Sequence, residues 1–105
     1  MERMKYFTRS VENEENAVFQ LEYVLLLHSE EGTRCYGIEI LKTDMQGRTE
    51  KEAVEGLCEN LEEAEAFLAR LADGLALPVE LAALCDDYVS EKEHAAEQNM
   101  TQAAS

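Results

Sequence analysis

His28 and Cys35 are the residues whose types and spacing could generate a nucleophile. An imidazole held beside a thiol can draw off its proton, and the resulting thiolate attacks electrophilic carbon or binds a soft metal. The two flank Glu31-Gly32, a turn signal, so a hairpin closing there sets them directly opposite one another. Adding Glu22 or Glu39, which fall on the same sheet face, would extend the pair to a metal-ligand set. Against both readings, no third group orients the imidazole, no oxyanion site is legible, and glutamates on a sheet face are ordinarily solvated. The chain also contains no glycine-rich phosphate loop, no HExxH and no GxSxG. No catalytic residue, metal or cofactor is therefore assigned.

The hairpin that would position this pair is itself well specified. Phe19, Leu21, Tyr23, Leu25 and Leu27 alternate with the residues between them, and Tyr36 to Leu41 alternates again. A loop centred on Glu31-Gly32 puts Leu27 opposite Tyr36, Leu25 opposite Ile38 and Tyr23 opposite Ile40, which gathers the apolar residues of both strands on one face. Gln46-Gly47 marks the next turn and leads into a third strand over 49–57. A three-residue loop there would set Val54 opposite Ile40 and Lys42 opposite Glu52, whereas a two-residue loop would set Lys42 against Lys51. The first is preferred, because like charges directly opposite destabilise a sheet. Residues 4–11 are rich in aromatic and β-branched types and could add an edge strand, with 12–16 as a solvated loop.

Asn60, with Glu63 three positions on, opens a helix whose Leu61, Ala64, Phe67, Leu68 and Leu71 recur at helical spacing. Gly74 followed by Leu75 reads as a glycine cap with its hydrophobic contact. Pro78 suits the first position of a second helix with a stripe of Leu81, Leu84, Cys85 and Tyr88. Its periodicity stops near Val89, although Asp86 and Asp87 oppose the dipole of a helix ending there and leave a longer helix open. The chain is thus expected to be α+β: an antiparallel three- or four-stranded meander followed by two helices packed on one sheet face. Residues 1–89 form a single domain and 90–105 a flexible polar tail.

The string Tyr36-Gly37-Ile38-Glu39-Ile40, the short acidic third strand, the acid-led helix and Leu77-Pro78-Val79-x-Leu81 followed by Asp86-Asp87-Tyr88 resemble a family of small bacterial proteins, DUF6514. The resemblance covers roughly residues 17–89 and implies a cytoplasmic bacterial protein with no assigned activity.

Charge narrows the partners. Nine Lys and Arg against 23 Asp and Glu give a net charge of −14, a field that repels phosphate backbones and anionic lipid. Direct nucleic-acid binding and membrane association are not expected. The longest apolar run, Tyr23 to Leu27, is far short of the roughly 20 residues a spanning helix needs. The N-terminus lacks the apolar stretch of a secretory signal, and three widely spaced cysteines without a CxxC pair fit reduced thiols, so a cytoplasmic location is expected. Arg3, Lys5 and Arg9 make the first ten residues locally basic, and this start could lie against the acidic body.

Two helices cover only one sheet face, which leaves Val24, Leu26 and Leu41 on the other among Glu22, Glu39, His28 and Cys35. Either they are the scattered apolar residues normal on an open antiparallel face, or residues 1–11 fold over them, or they form a self-association or partner surface rimmed by acids. The expected function is accordingly a non-enzymatic protein-interaction or homodimerising module. The alternative is an acidic nucleic-acid mimic that inhibits a DNA-binding protein, with Glu59, Glu62, Glu63, Glu65, Asp73, Glu80, Asp86 and Asp87 as its charges.

Overall fold

Alternation is strongest over residues 18–44, and there the chain builds its central hairpin from β2 (Val18–Glu30) and β3 (Thr33–Asp44). The computed structural model describes residues 2–104, with the side chains of all of these except Lys5, Tyr6 and residues 94–104. The pairing runs from Phe19 with Asp44, through Leu25 with Ile38, to Glu30 with Thr33, the register that parity predicts. Glu31 at φ 51° and Gly32 at φ 82° both take the left-handed region. That is the signature of a type I′ turn, whose twist matches that of the strands it joins.

β1 (Glu2–Glu12) and β4 (Thr49–Cys58) flank the hairpin, so the sheet is an antiparallel meander in the order β1-β2-β3-β4. β4 departs from both registers expected of it: Lys42 pairs with Glu50, Ile40 with Glu52 and Ile38 with Val54. Asp44 is the cause. Its Oδ1 accepts the backbone N–H groups of Gln46 and Arg48, and its own N–H donates to the Arg48 carbonyl. The loop therefore holds three residues, Met45–Gly47, but starts one position earlier than expected. Val54 keeps its face and changes only its partner. Asn13 organises the β1–β2 connection with the same bonds, accepting from Glu15 and Ala17 while its N–H donates to Ala17. Near its end β4 bulges, between the Ile38–Val54 and Tyr36–Cys58 pairs, with Gly56 at φ 65°. Gly37 sits beneath that bulge, where a Cβ would lie 2.4 Å from the Val54 carbonyl oxygen.

α1 (Leu61–Asp73) begins as expected, with Asn60 Oδ1 accepting the Glu63 N–H at 3.0 Å. Its end differs in detail. Gly74 has φ −85°, and Leu75 takes the left-handed conformation at φ 54° instead. Ala76 N–H donates to Leu71 and Leu75 N–H to Ala72, the bond pair of a Schellman motif shifted one residue beyond the glycine. A 3₁₀ turn at Pro78–Glu80 precedes α2, so the proline opens this turn and not the α-helix itself. Glu80 Oε1 accepts the Leu77 N–H, the half of a capping box that does not need a polar side chain at Leu77, and the Glu80 N–H donates to the Leu77 carbonyl.

α2 runs from Leu81 to Ala104, the longer of the two forms left open, which places Asp86 and Asp87 mid-helix. The backbone of residues 90–104 thus continues a helix where a polar tail is expected from the sequence. Both helices pack on the face carrying Leu21, Tyr23, Leu25, Tyr36, Ile38 and Ile40, and with Phe67, Leu68, Leu71, Leu81 and Cys85 they close the core. Tyr23 fastens the two layers through its hydroxyl, which donates to the Ala76 carbonyl at 2.9 Å.

Candidate functional site

His28 and Cys35 face each other across the β2–β3 ladder, but their side chains find separate partners. The exposed imidazole lies 3.4 Å from Glu30 Oε2, while the Cys35 thiol donates to the Cys58 carbonyl at 3.4 Å. Glu30 is the exposed last residue of β2. The other two thiols are buried among apolar groups. Burial pushes Cys85 up to about 11 and also raises Cys58, whose thiol donates to the Asn60 carbonyl. Both are held protonated near neutral pH.

The sheet face opposite the helices is largely closed within the chain. Val24 and Leu26 are each only 4% exposed. β1 runs beside β2 as the edge strand, and its Arg3, opposite Leu26, reaches over β2 with its side chain to ion-pair with Glu39. Glu39 is buried next to Val24 in the ladder, so the guanidinium compensates a carboxylate that would otherwise stand desolvated. Leu41 is half-buried and Glu22 exposed. Of the five residues expected to form an interaction face, Val24, Leu26 and Glu39 are thus buried within one chain; residues 2–12 do not fold over this face but join the sheet as its edge strand, from which Arg3 reaches across with its side chain. Arg9 makes a second contact between the basic start and the acidic body, 3.7 Å from Asp73 Oδ1.

The acids on the helices are spent unevenly. Glu63 takes Lys92 at 2.6 Å, a hydrogen bond that raises the Lys92 pKa, Asp73 faces Arg9, and Glu80 caps Leu77. Glu59, Glu62, Asp86 and Asp87 are exposed. Among the described residues no cluster of three His, Cys, Asp or Glu could hold a metal ion, and no helix is long and apolar enough to cross a membrane.

A groove of about 280 Å³ runs instead between the two helices. One wall is Phe67, Arg70 and Leu71 of α1 with its cap Gly74, and the other is Glu80 of the 3₁₀ turn with Leu84, Asp87, Tyr88 and Glu91 of α2. Both walls follow the i, i+3, i+4, i+7 spacing of one helix face. Phe67 and Tyr88 meet across the groove in a parallel stack, with centroids 4.3 Å apart and planes at 13°. Lys92 Nζ lies 5.6 Å from the centroid of the Tyr88 ring, and burial raises the Tyr88 pKa. The result is an apolar floor with carboxylates along one rim. The α2 stripe is visible in the sequence through Leu84 and Tyr88, but the pairing of two helix faces into one groove is not.

One family model matches the chain, over residues 2–91, and it describes a family of unknown function, DUF6514. No curated protein and no solved structure matches.

Proposed function

The chain belongs to the DUF6514 family, a family of unknown function, and from that premise we propose that it is a non-enzymatic protein-interaction module that binds through its helical layer. The observation that carries the reading is the α1–α2 groove, where aromatic and aliphatic side chains meet a rim of carboxylates. Interfaces have this composition: an apolar centre containing aromatic residues, ringed by polar groups. A non-enzymatic role is supported by His28 and Cys35, each turned to a different partner. Self-association through Val24 and Leu26 has less support, because both are covered by their own chain.

Native mass spectrometry of the tagged chain isolated from its own host at low salt tests this directly. A protein bound in stoichiometric amount is the expected result, and a lone monomer at every concentration overturns the proposal. A bare dimer would move the function to self-association. Capture of a basic DNA-binding protein that is lost steeply with salt would favour nucleic-acid mimicry by the helix acids instead.

A further inference from the structure

We propose that the α1–α2 groove receives a basic amphipathic helix of a partner protein, a proposal that rests on the interaction reading above and specifies its ligand. The dimensions favour helix-in-groove docking. From Leu81 to Glu91 α2 extends about 15 Å at 1.5 Å per residue, close to three helical turns. The volume of about 280 Å³ cannot hold a helix, but it can take the anchor side chains of one lying along its mouth. Leu84 and Tyr88 are only half-buried and form the accessible part of the floor, while Phe67 and Leu71 are buried beneath it. Leu84 and Tyr88 stand one turn apart, so apolar anchors at i and i+4 on an incoming helix would meet them in turn.

Charge selects the partner. Glu80, Asp87 and Glu91 punctuate the second wall, three carboxylates against the one cation of the lining, Arg70 on the facing wall. Asp87 and Glu91 have no ion-pair partner among the described residues, so they are free to meet Lys or Arg beside the anchors. The net charge of −14 adds long-range attraction for a basic segment and repels an acidic one. Lys92, near the Tyr88 ring, is already ion-paired with Glu63 and adds little net positive charge against this approach.

The test uses the whole chain and a labelled, amidated peptide of about 18 residues, built from Leu and Lys in a helical pattern. Fluorescence anisotropy reads its affinity and amide chemical-shift mapping reads where it lands. Expected are shifts concentrated on residues 67–74 and 80–91, and loss of binding when the peptide leucines become serine or its lysines become glutamate. The double variant Asp87→Lys/Glu91→Lys should weaken binding by about tenfold or more. The charge-matched variant Glu14→Lys/Glu15→Lys, in the β1–β2 loop, should change it by about twofold or less.

Equal weakening by the two variants would show diffuse attraction to an acidic body, and overturns the groove. So do shifts spread over the whole acidic surface, binding that survives the leucine-to-serine change, or no binding at all. Circular dichroism of each variant confirms that the fold is intact. Failure here is distinct from failure of the interaction reading: a host partner that still binds Asp87→Lys/Glu91→Lys keeps the module and removes this site, whereas absence of any host partner removes both.

Discussion

Leu25 and Leu26 are consecutive and almost equally buried, yet they are buried by different means. Leu25 faces the helical layer, where Leu68, Leu71 and Leu81 pack against the sheet and the Tyr23–Ala76 hydrogen bond ties the layers. Leu26 faces the other way, where Arg3 of the neighbouring edge strand bridges to Glu39. One face is closed by a second layer of secondary structure. The other is closed by a long side chain lying over apolar surface with its charge anchored at the far end. Burial alone does not distinguish the two faces, but their energetics should.

The largest expected effect tests that difference. Leu25→Ala leaves a cavity walled on all sides and should cost about 3–4 kcal/mol in urea denaturation. Leu26→Ala should cost about 1–2 kcal/mol, because Arg3, itself more than half exposed, can settle into the space. Equal losses would mean that the second face is as rigidly packed as the first.

Tyr23 offers a second, smaller contrast. Tyr23→Phe keeps the ring and leaves the buried Ala76 carbonyl without its donor, at a cost of about 1–1.5 kcal/mol. Desolvation raises the Tyr23 pKa from the ordinary 10.0 to about 12. The fold therefore favours the protonated phenol, and this contribution is complete below pH 10 and lost as pH climbs from 10 through 12. Cys85, raised from 9.0 to about 11 by burial, adds a loss in the same sense between those values. Denaturation midpoints across pH 8–12 should fall steeply for the native chain and less for Tyr23→Phe. Parallel curves would remove Tyr23 from the alkaline transition.

The same contrast shows what the sequence could disclose. Alternation in β2 and β3 and one Glu-Gly turn define the hairpin register, because every one-residue slip would turn the apolar set outward. Gly37 and Gly56, anomalous inside strands, mark the close approach and bulge where β4 crosses β3. The β3–β4 register was less legible, since Gln46-Gly47 is compatible with several loops and only the Asp44 carboxylate chooses among them. The closing of the second face was harder still. It depends on Arg3 meeting Glu39, 36 residues away, a pairing no local pattern encodes. The groove is a product of two helix faces, each legible as a stripe, whose juxtaposition follows from how both seat on the sheet.

Arg3→Ala asks what the bridge contributes to the second face. It strips the guanidinium from Glu39 and uncovers Leu26, and it should cost about 1 kcal/mol, reduced from the worth of a buried pair because Arg3 is largely in water. Arg3→Met, which keeps the apolar stem and removes the charge, separates the two contributions. If covering Leu26 dominates, Met should restore most of the loss. If compensating Glu39 dominates, Met should restore little, and only the further change Glu39→Gln should recover stability.

The smallest effect is expected at the end of α1, where the chain turns to deliver Ala76 to Tyr23. Leu75 holds φ 54° without a glycine's freedom, and a side chain there crowds the following carbonyl. Its 41% exposure means that little packing offsets this strain. Leu75→Gly should therefore stabilise the domain by about 0.5–1 kcal/mol, as a residue at C′ of a Schellman motif gains from losing its Cβ. The gain should persist in a Tyr23→Phe background, because the cap's two backbone bonds do not involve the hydroxyl. If instead the gain vanishes there, the cap and the interlayer hydrogen bond act as one unit, and the helical layer is held by a single coupled joint at Leu75–Ala76.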